Sequence, residues 1–299
     1  FSSAHVAQAL LLDLPNPEGL TLWLHLNKEE GGLPLTKTLE AQTEAAPAQY
    51  QFKHLSFQEG LFAEHLLHVV EDPTWSGWDN DAVAAGFLNN AYMNNTCRIA
   101  AGRLGTLLAK RRSGWSFAEY CLGIVGRRAL WYLLEGNELL SSLNLSGNEV
   151  GNTDTEGVVN LFRACPALKQ LNLANNNLDT MRKSQLSAVC RAMANNLSVT
   201  WINLSNNRLG AEGCRVVCNA LQSLVGLTYL GLSHNQPNRE AALPDLLRMH
   251  AGLTSIDIVE ADSKCLDSRA KDNIGQALLS NDIGKLSFMV CDSFSVQPE

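Results

Sequence analysis

LKQLNLANNNL at residues 168–178 and VTWINLSNNRL at residues 199–209 are one phrase written twice, and its reading decides the fold. Apolar residues hold the first, fourth, sixth and eleventh places: Leu168, Leu171, Leu173 and Leu178 in one copy, Val199, Ile202, Leu204 and Leu209 in the next. The fourth and sixth alternate as a short strand requires, with every second side chain on one face. Further copies begin at Leu140, Leu227 and Leu253, and a degenerate one at Ile283, at spacings of 26 to 31 residues. The ninth place is held by Asn148, Asn176, Asn207 and Asn235. A buried amide there can serve backbone groups where the chain leaves the strand, which an apolar side chain could not do. One such strand cannot bury its own apolar side chains, so the units must stack and share a core.

Between the phrases the period lengthens to that of a helix. Val216, Val217, Ala220, Leu221 and Leu224 within 211–224 fall at helical spacing, as do Leu186, Val189, Cys190 and Met193 within 184–194. A strand-plus-helix unit of about 28 residues resembles the ribonuclease-inhibitor type of leucine-rich repeat. The resemblance implies an α/β leucine-rich repeat horseshoe, with parallel strands on the concave face and helices on the convex one. Such a solenoid offers an extended binding surface and no default active-site cleft. The fourth copy has Pro237 at its eleventh place, and the fifth and sixth carry Ala261 and Cys291 where asparagine stands elsewhere. End repeats depart in this way because they cap the core against water.

The 299 residues are 45% hydrophobic and 18% charged, with a net charge of -7, which is the composition of a globular chain. No apolar run reaches the roughly 18 residues of a membrane helix. Residues 6–14 are largely apolar but lack the basic flank and cleavage site of a signal peptide. Of the eight cysteines, Cys190, Cys214 and Cys218 sit within helical patterns where small apolar residues are wanted, and no CxxC pair occurs. The sequons at Asn144 and Asn203 fall in the repeat strands, a poor place for a glycan. These features predict a cytoplasmic protein with no membrane segment. The chain opens on Phe1, which reads as an excerpt or a processed product.

Ahead of the repeats the period disappears. A helical pattern at 4–12 and a strand-like run at 20–26 are followed by prolines and glycines, then by YQFKHLSFQE at 50–59 and a helical pattern through Val70. This decapeptide resembles the phrase that ends the winged-helix region of NACHT-containing NOD-like receptors. The order that follows, about 75 mostly helical residues and then repeats, is similar to that family's as well. The resemblance implies a winged-helix remnant at 1–60, a helical region at 61–137 and a leucine-rich repeat domain at 138–299. It also implies that His54 matches the histidine that contacts the family's bound nucleotide. That site is incomplete: no Gly-x-x-x-x-Gly-Lys-Ser/Thr loop occurs in the chain, and Gly60 replaces a bulkier residue. Either the excerpt starts after a nucleotide domain or the protein has lost one. No cofactor and no metal are expected.

Within 61–137, residues 82–92 and 98–110 read as helices, and Trp75 and Trp78 as loop anchors. Charge is uneven here. Residues 1–97 carry three lysines against twelve acidic residues, whereas 98–128 carry seven basic residues, among them Arg111, Arg112 and Arg127, against Glu119 alone. With few aromatics interleaved, the basic block reads as a solvated face or a partner for the acidic segment rather than a nucleic-acid site. His65 and His68 are three apart, not the four of a helical metal pair, and no Gly-x-Ser-x-Gly elbow occurs. Nothing in the residues points to catalysis.

The third and fifth places of each phrase face away from the core. The third holds Ser142, Gln170, Trp201, Tyr229, Ser255 and Lys285; the fifth holds Asn144, Asn172, Asn203, Gly231, Asp257 and Ser287. Trp201 and Tyr229 are therefore neighbours roughly 5 Å apart on a surface of small and polar residues, the composition of a binding hot spot. The expected site is a protein-binding concave face anchored by Trp201 and Tyr229, with Gln170, Asn172, Asn203 and His234 supplying hydrogen bonds. The resemblance makes this a recognition or regulatory module of the NOD-like-receptor kind. A repeat subunit of a stable assembly and a GTPase-activating-type repeat regulator remain as alternatives, and the oligomeric state is open.

Overall fold

The computed structural model describes residues 55–236, 242–250 and 252–258, with strands at 36–40, 49–52 and 287–289 and single helical residues at 17, 272, 276 and 277. The chain divides into two compact units, Phe1–His65 and Leu66–Glu299. In the first, β1 (Thr36–Glu40) and β2 (Gln49–Phe52) form an antiparallel pair with Thr36 opposite Phe52. The expected helix at 4–12, the strand at 20–26 and His54 lie outside the described residues.

The second unit contains a parallel sheet of seven three-residue strands in sequence order: β3 (Gly114–Ser116), β4 (Ser142–Asn144), β5 (Gln170–Asn172), β6 (Trp201–Asn203), β7 (Tyr229–Gly231), β8 (Ser255–Asp257) and β9 (Ser287–Met289). The middle residues Leu143, Leu171, Ile202, Leu230 and Ile256 are buried, as period-two alternation requires. This is a leucine-rich repeat, α/β and parallel, with a mainly helical segment ahead of it. The sheet starts one rung before the first recognisable phrase. Trp115 and Phe117 fill the fourth and sixth places of that rung and are buried, so the sheet begins inside the segment expected to be helical. At the other end, Ser287 pairs with Ser255 and Met289 with Asp257. The degenerate sixth copy therefore sits two residues later than its apolar pattern suggests. Ser287 takes the third place, not the fifth, and Lys285 lies outside the described residues.

Helices α1 (Leu55–Val69), α2 (Asp81–Asn89), α3 (Ala91–Arg111) and α4 (Ile124–Leu134) precede the repeat helices α5 (Thr155–Ala164), α6 (Lys183–Asn195), α7 (Gly210–Leu221) and α8 (Ala242–Met249). Each repeat helix buries one stripe: Leu186, Val189, Cys190 and Met193 on α6, and Cys214, Val217, Cys218 and Leu221 on α7. α3 crosses the C-terminal end of α4 at very short range. A Cβ on Gly105 would lie 1.6 Å from the Leu133 carbonyl oxygen and one on Gly102 1.8 Å from that of Glu135, so only glycine fits there.

The open edge of β3 is closed from the N-terminal side. Trp78 is fully buried and packs edge-on against Trp115, with ring centroids 5.3 Å apart, and against Phe117 at 6.1 Å. Asp81 accepts the Ser116 backbone N–H at 3.3 Å and pairs with Arg112, while Arg111 donates to the Val70 and Asp72 carbonyls and pairs with Asp79 at 3.2 Å. Three members of the basic block are thus engaged internally, Arg127 being the third, in a buried pair with Asp154 at 2.8 Å. Trp75 lies under the Arg111 guanidinium, 5.4 Å from centroid to Cζ.

The ninth-place asparagines lock the rungs in register. Asn176 accepts the N–H groups of Asn148 and Val150 of the preceding rung at 3.0 Å each, and its amide donates to the Leu145 carbonyl at 2.9 Å. Asn207 and Asn235 repeat this pattern one and two rungs on. The residues on either side of each asparagine adopt positive φ, for example Asn175 and Asn177 at 55°, and Asn206 at 56° with Arg208 at 54°. The two turns so formed aim successive N–H groups at the next amide.

Candidate functional site

Three strands set the surface. β6, β7 and β8 pair so that Trp201, Tyr229 and Ser255 form one row across the sheet, and Asn203, Gly231 and Asp257 the row beside it. Parallel strands stand about 4.8 Å apart, which is the spacing two aromatic rings need to stack. The rings of Trp201 and Tyr229 do so, with centroids 4.6 Å apart and planes 7° from parallel. Both are half-buried, an exposure that leaves contact area while fixing the side chains.

The Tyr229 hydroxyl donates to Asp257 Oδ2 at 2.5 Å, a charge-assisted bond that ties the tyrosine diagonally to the next rung. Burial first, and then the Asp257 carboxylate, push the Tyr229 hydroxyl well above the ordinary tyrosine range, so the ring stays a donor. Gly231 sits where the fifth-place asparagine column stops. A Cβ there would lie 2.4 Å from Asn203 Oδ1, so the glycine makes room for that side chain.

Of the residues expected in the site, Gln170, Trp201 and Tyr229 share one row, and Asn172 and Asn203 share the next. Gln170 is exposed, and its Oε1 faces the Ser142 hydroxyl at 3.4 Å. Asn172 and Asn203 each spend Oδ1 on a turn, accepting the N–H of Ala174 and of Ser205 at 3.0 Å. Among the described residues, the amide N–H groups of these two side chains make no hydrogen bond. His234 lies apart from the strands: it is exposed in the turn after β7, with φ 57°. His54 lies outside the described residues, and no nucleotide geometry attaches to it.

Sequence reasoning passed over Asp257. Its signal was present, since it is the only charged residue in the fifth column. Among the described residues, no group of three or more His, Cys, Asp or Glu side chains is arranged to hold a metal, and no helix is long and apolar enough to cross a membrane.

No protein-family model matches the chain, and no curated protein matches it. Solved structures similar to it include the C-terminal domain of tropomodulin from Caenorhabditis elegans, at 16% identity over 52% of this chain and 76% of that one, with a TM-score of 0.33. A second is actin-binding site 2 of leiomodin-1, at 21% identity over 44% of this chain and 78% of that one, with a TM-score of 0.34. A third is the leucine-rich repeat protein LegL7 of Legionella pneumophila, at 16% identity, 54% and 78% coverage and a TM-score of 0.25. At these scores the similarities support no functional assignment. The repeat fold stands on the period, the parallel sheet and the asparagine ladder of the chain itself.

Proposed function

We propose that the chain is a non-enzymatic recognition module that docks a protein partner on the exposed face of its repeat sheet. The observation that carries this reading is the Trp201–Tyr229 stack, held on a rigid sheet and half-open to solvent among small and polar neighbours. Aromatic anchors on a preformed surface lose little side-chain entropy on binding and dominate the energetics of protein interfaces. The amide donors of Asn172 and Asn203 supply orientation beside them. The phrase at 50–59 and the order of segments after it add the finer reading: a regulatory module of the NOD-like-receptor type, with a winged-helix remnant at 1–60, a helical region from 61 and then the repeats, whose first rung starts ahead of 138, working in the cytoplasm.

The experiment is affinity capture from a native extract with the whole chain and with its Trp201→Ala/Tyr229→Ala variant, compared by mass spectrometry. A protein held by the first and lost from the second supports the reading. Identical protein sets from a folded variant reject the sheet face as the docking surface.

A further inference from the structure

The aromatic row ends in an arrangement that selects a ligand chemistry. Trp201 covers one face of the Tyr229 ring. On the other side the paired residue is Ser255, too small to cover the second face, and among the described residues no other ring stacks there. Two residues along β8, the half-buried Asp257 carboxylate receives the Tyr229 hydroxyl on Oδ2; among the described residues Oδ1 accepts no hydrogen bond and no cation pairs with the group. A carboxylate partly withdrawn from water and answered only by a neutral hydroxyl lacks positive charge. An open aromatic face beside it attracts cations as well.

A planar cation meets both demands at once. A guanidinium stacks on an aromatic ring and presents forked N–H donors to a carboxylate, whereas an ammonium is compact, more strongly hydrated and does not stack. We propose that this face takes an arginine side chain of the protein partner, its guanidinium over the open face of Tyr229 above Ser255 and its N–H groups on Asp257 Oδ1. The net charge of -7 favours a cationic partner in the same sense. This inference rests on the sheet face being the docking surface and names what the partner brings to it.

The test is a titration of the 15N-labelled chain with acetyl-Gly-Arg-Gly-amide and with its lysine and citrulline counterparts, followed at the Trp201 indole N–H. The arginine peptide is expected to give a saturable shift, the lysine peptide a weaker one, and citrulline, which keeps the shape without the charge, none. Asp257→Asn retains an oxygen for the Tyr229 hydroxyl and is expected to weaken arginine binding about tenfold. Equal binding of citrulline, an unchanged affinity in Asp257→Asn, or no saturable shift with arginine overturns the proposal. Capture by the whole chain separates the two ideas. A native partner that depends on Trp201 and Tyr229 but not on Asp257 removes the arginine and leaves the docking face, whereas one that depends on none of the three removes both.

Discussion

The backbone N–H of Asn176 donates to Oδ1 of Asn207 at 2.9 Å, one rung further along the solenoid. The same Asn207 side chain accepts the Leu178 N–H at 3.3 Å and donates to the Leu173 and Leu204 carbonyls at 2.8 Å each. Every one of these groups is buried, so an amide that bridges two rungs is worth more than its net hydrogen-bond energy: its loss strands the Asn176 and Leu178 N–H groups and the Leu173 carbonyl, while the Leu204 carbonyl keeps the Asn235 amide at 2.7 Å. Asn207→Ala is expected to cost about 3 to 5 kcal/mol, since each buried group left unsatisfied costs roughly 1 to 3 kcal/mol and relaxation recovers part of it. A urea unfolding midpoint within error of the parent would refute the ladder as a stability element.

Trp201→Ala has the opposite profile. The ring is half-exposed and its partner Tyr229 stays tied to Asp257, so the fold loses about 1 kcal/mol of stacking. Binding of the captured partner is expected to lose about 2 kcal/mol or more. Calorimetry of both quantities on one preparation decides: a stability loss as large as the binding loss makes the ring structural cover.

Arg208 adopts φ 54° with its side chain exposed. A left-handed non-glycine residue is strained by about 1 to 2 kcal/mol, and glycine removes that strain while adding unfolded-chain entropy. Arg208→Gly is therefore expected to stabilise the chain by about 0.5 to 1 kcal/mol, read as a rise of a few degrees in Tm. A fall in Tm would mean that the guanidinium contributes something the exposed geometry does not show.

Five rungs were legible in the sequence, four of them through a ninth-place asparagine and the one at Leu253 through its apolar places alone, and the ladder explains why the first rung was not. Each asparagine serves the rung before it: Asn148 donates to the Phe117 carbonyl at 2.7 Å and accepts the Leu122 N–H at 2.7 Å. The first rung has no rung before it to serve. Its ninth place is the exposed Tyr120, and the phrase became unreadable although Trp115 and Phe117 keep the 28-residue spacing to Leu143 and Leu145. The converse holds at Pro237, which has no N–H to satisfy, and the next copy carries Ala261 in place of asparagine. A second set of bridges, three residues before the phrases at Leu140, Val199 and Leu253, has no fixed residue type and so left no signal. It comprises Asn137 donating to the Gly105 carbonyl at 3.0 Å, Asn196 to Phe162 at 2.9 Å and His250 Nε2 against Leu221 at 2.6 Å. The aromatic row was legible because strand register alone places it. The role of Asp257 was not, because the diagonal reach of Tyr229 depends on a rotamer.

Burial pushes the thiols of Cys97, Cys165, Cys190 and Cys218 up to about 12 from the ordinary 9.0. The folded state thus holds them protonated while the unfolded chain begins to ionise near 9. Their contribution to stability is complete below about pH 9 and is lost as the pH rises toward about 12. Tm is expected to fall across that window. At neutral pH a thiol reagent should modify the exposed Cys121 ahead of those four. Rapid labelling of Cys190 or Cys218 in the folded chain would contradict the closed packing of α6 on α7.

The pair Arg127–Asp154 makes the sharpest test of how the helical segment is joined to the repeats. Asp154 accepts Arg127 Nε at 2.8 Å and Trp131 Nε1 at 3.0 Å, while Arg127 Nη1 donates to the carbonyls of Leu122 at 2.6 Å and Asn148 at 2.8 Å. Both side chains are about nine-tenths buried, at 6% and 10% exposure, so removing one leaves the other charged and alone. Asp154→Ala is expected to cost about 3 to 5 kcal/mol, and Arg127→Met a similar amount because two carbonyls lose their donor as well. The double variant should cost clearly less than the two single losses added together, since no lone charge remains in it. Strict additivity in urea unfolding would show that water reaches the pair, and the first rung would then be joined to the second by packing and the asparagine ladder alone.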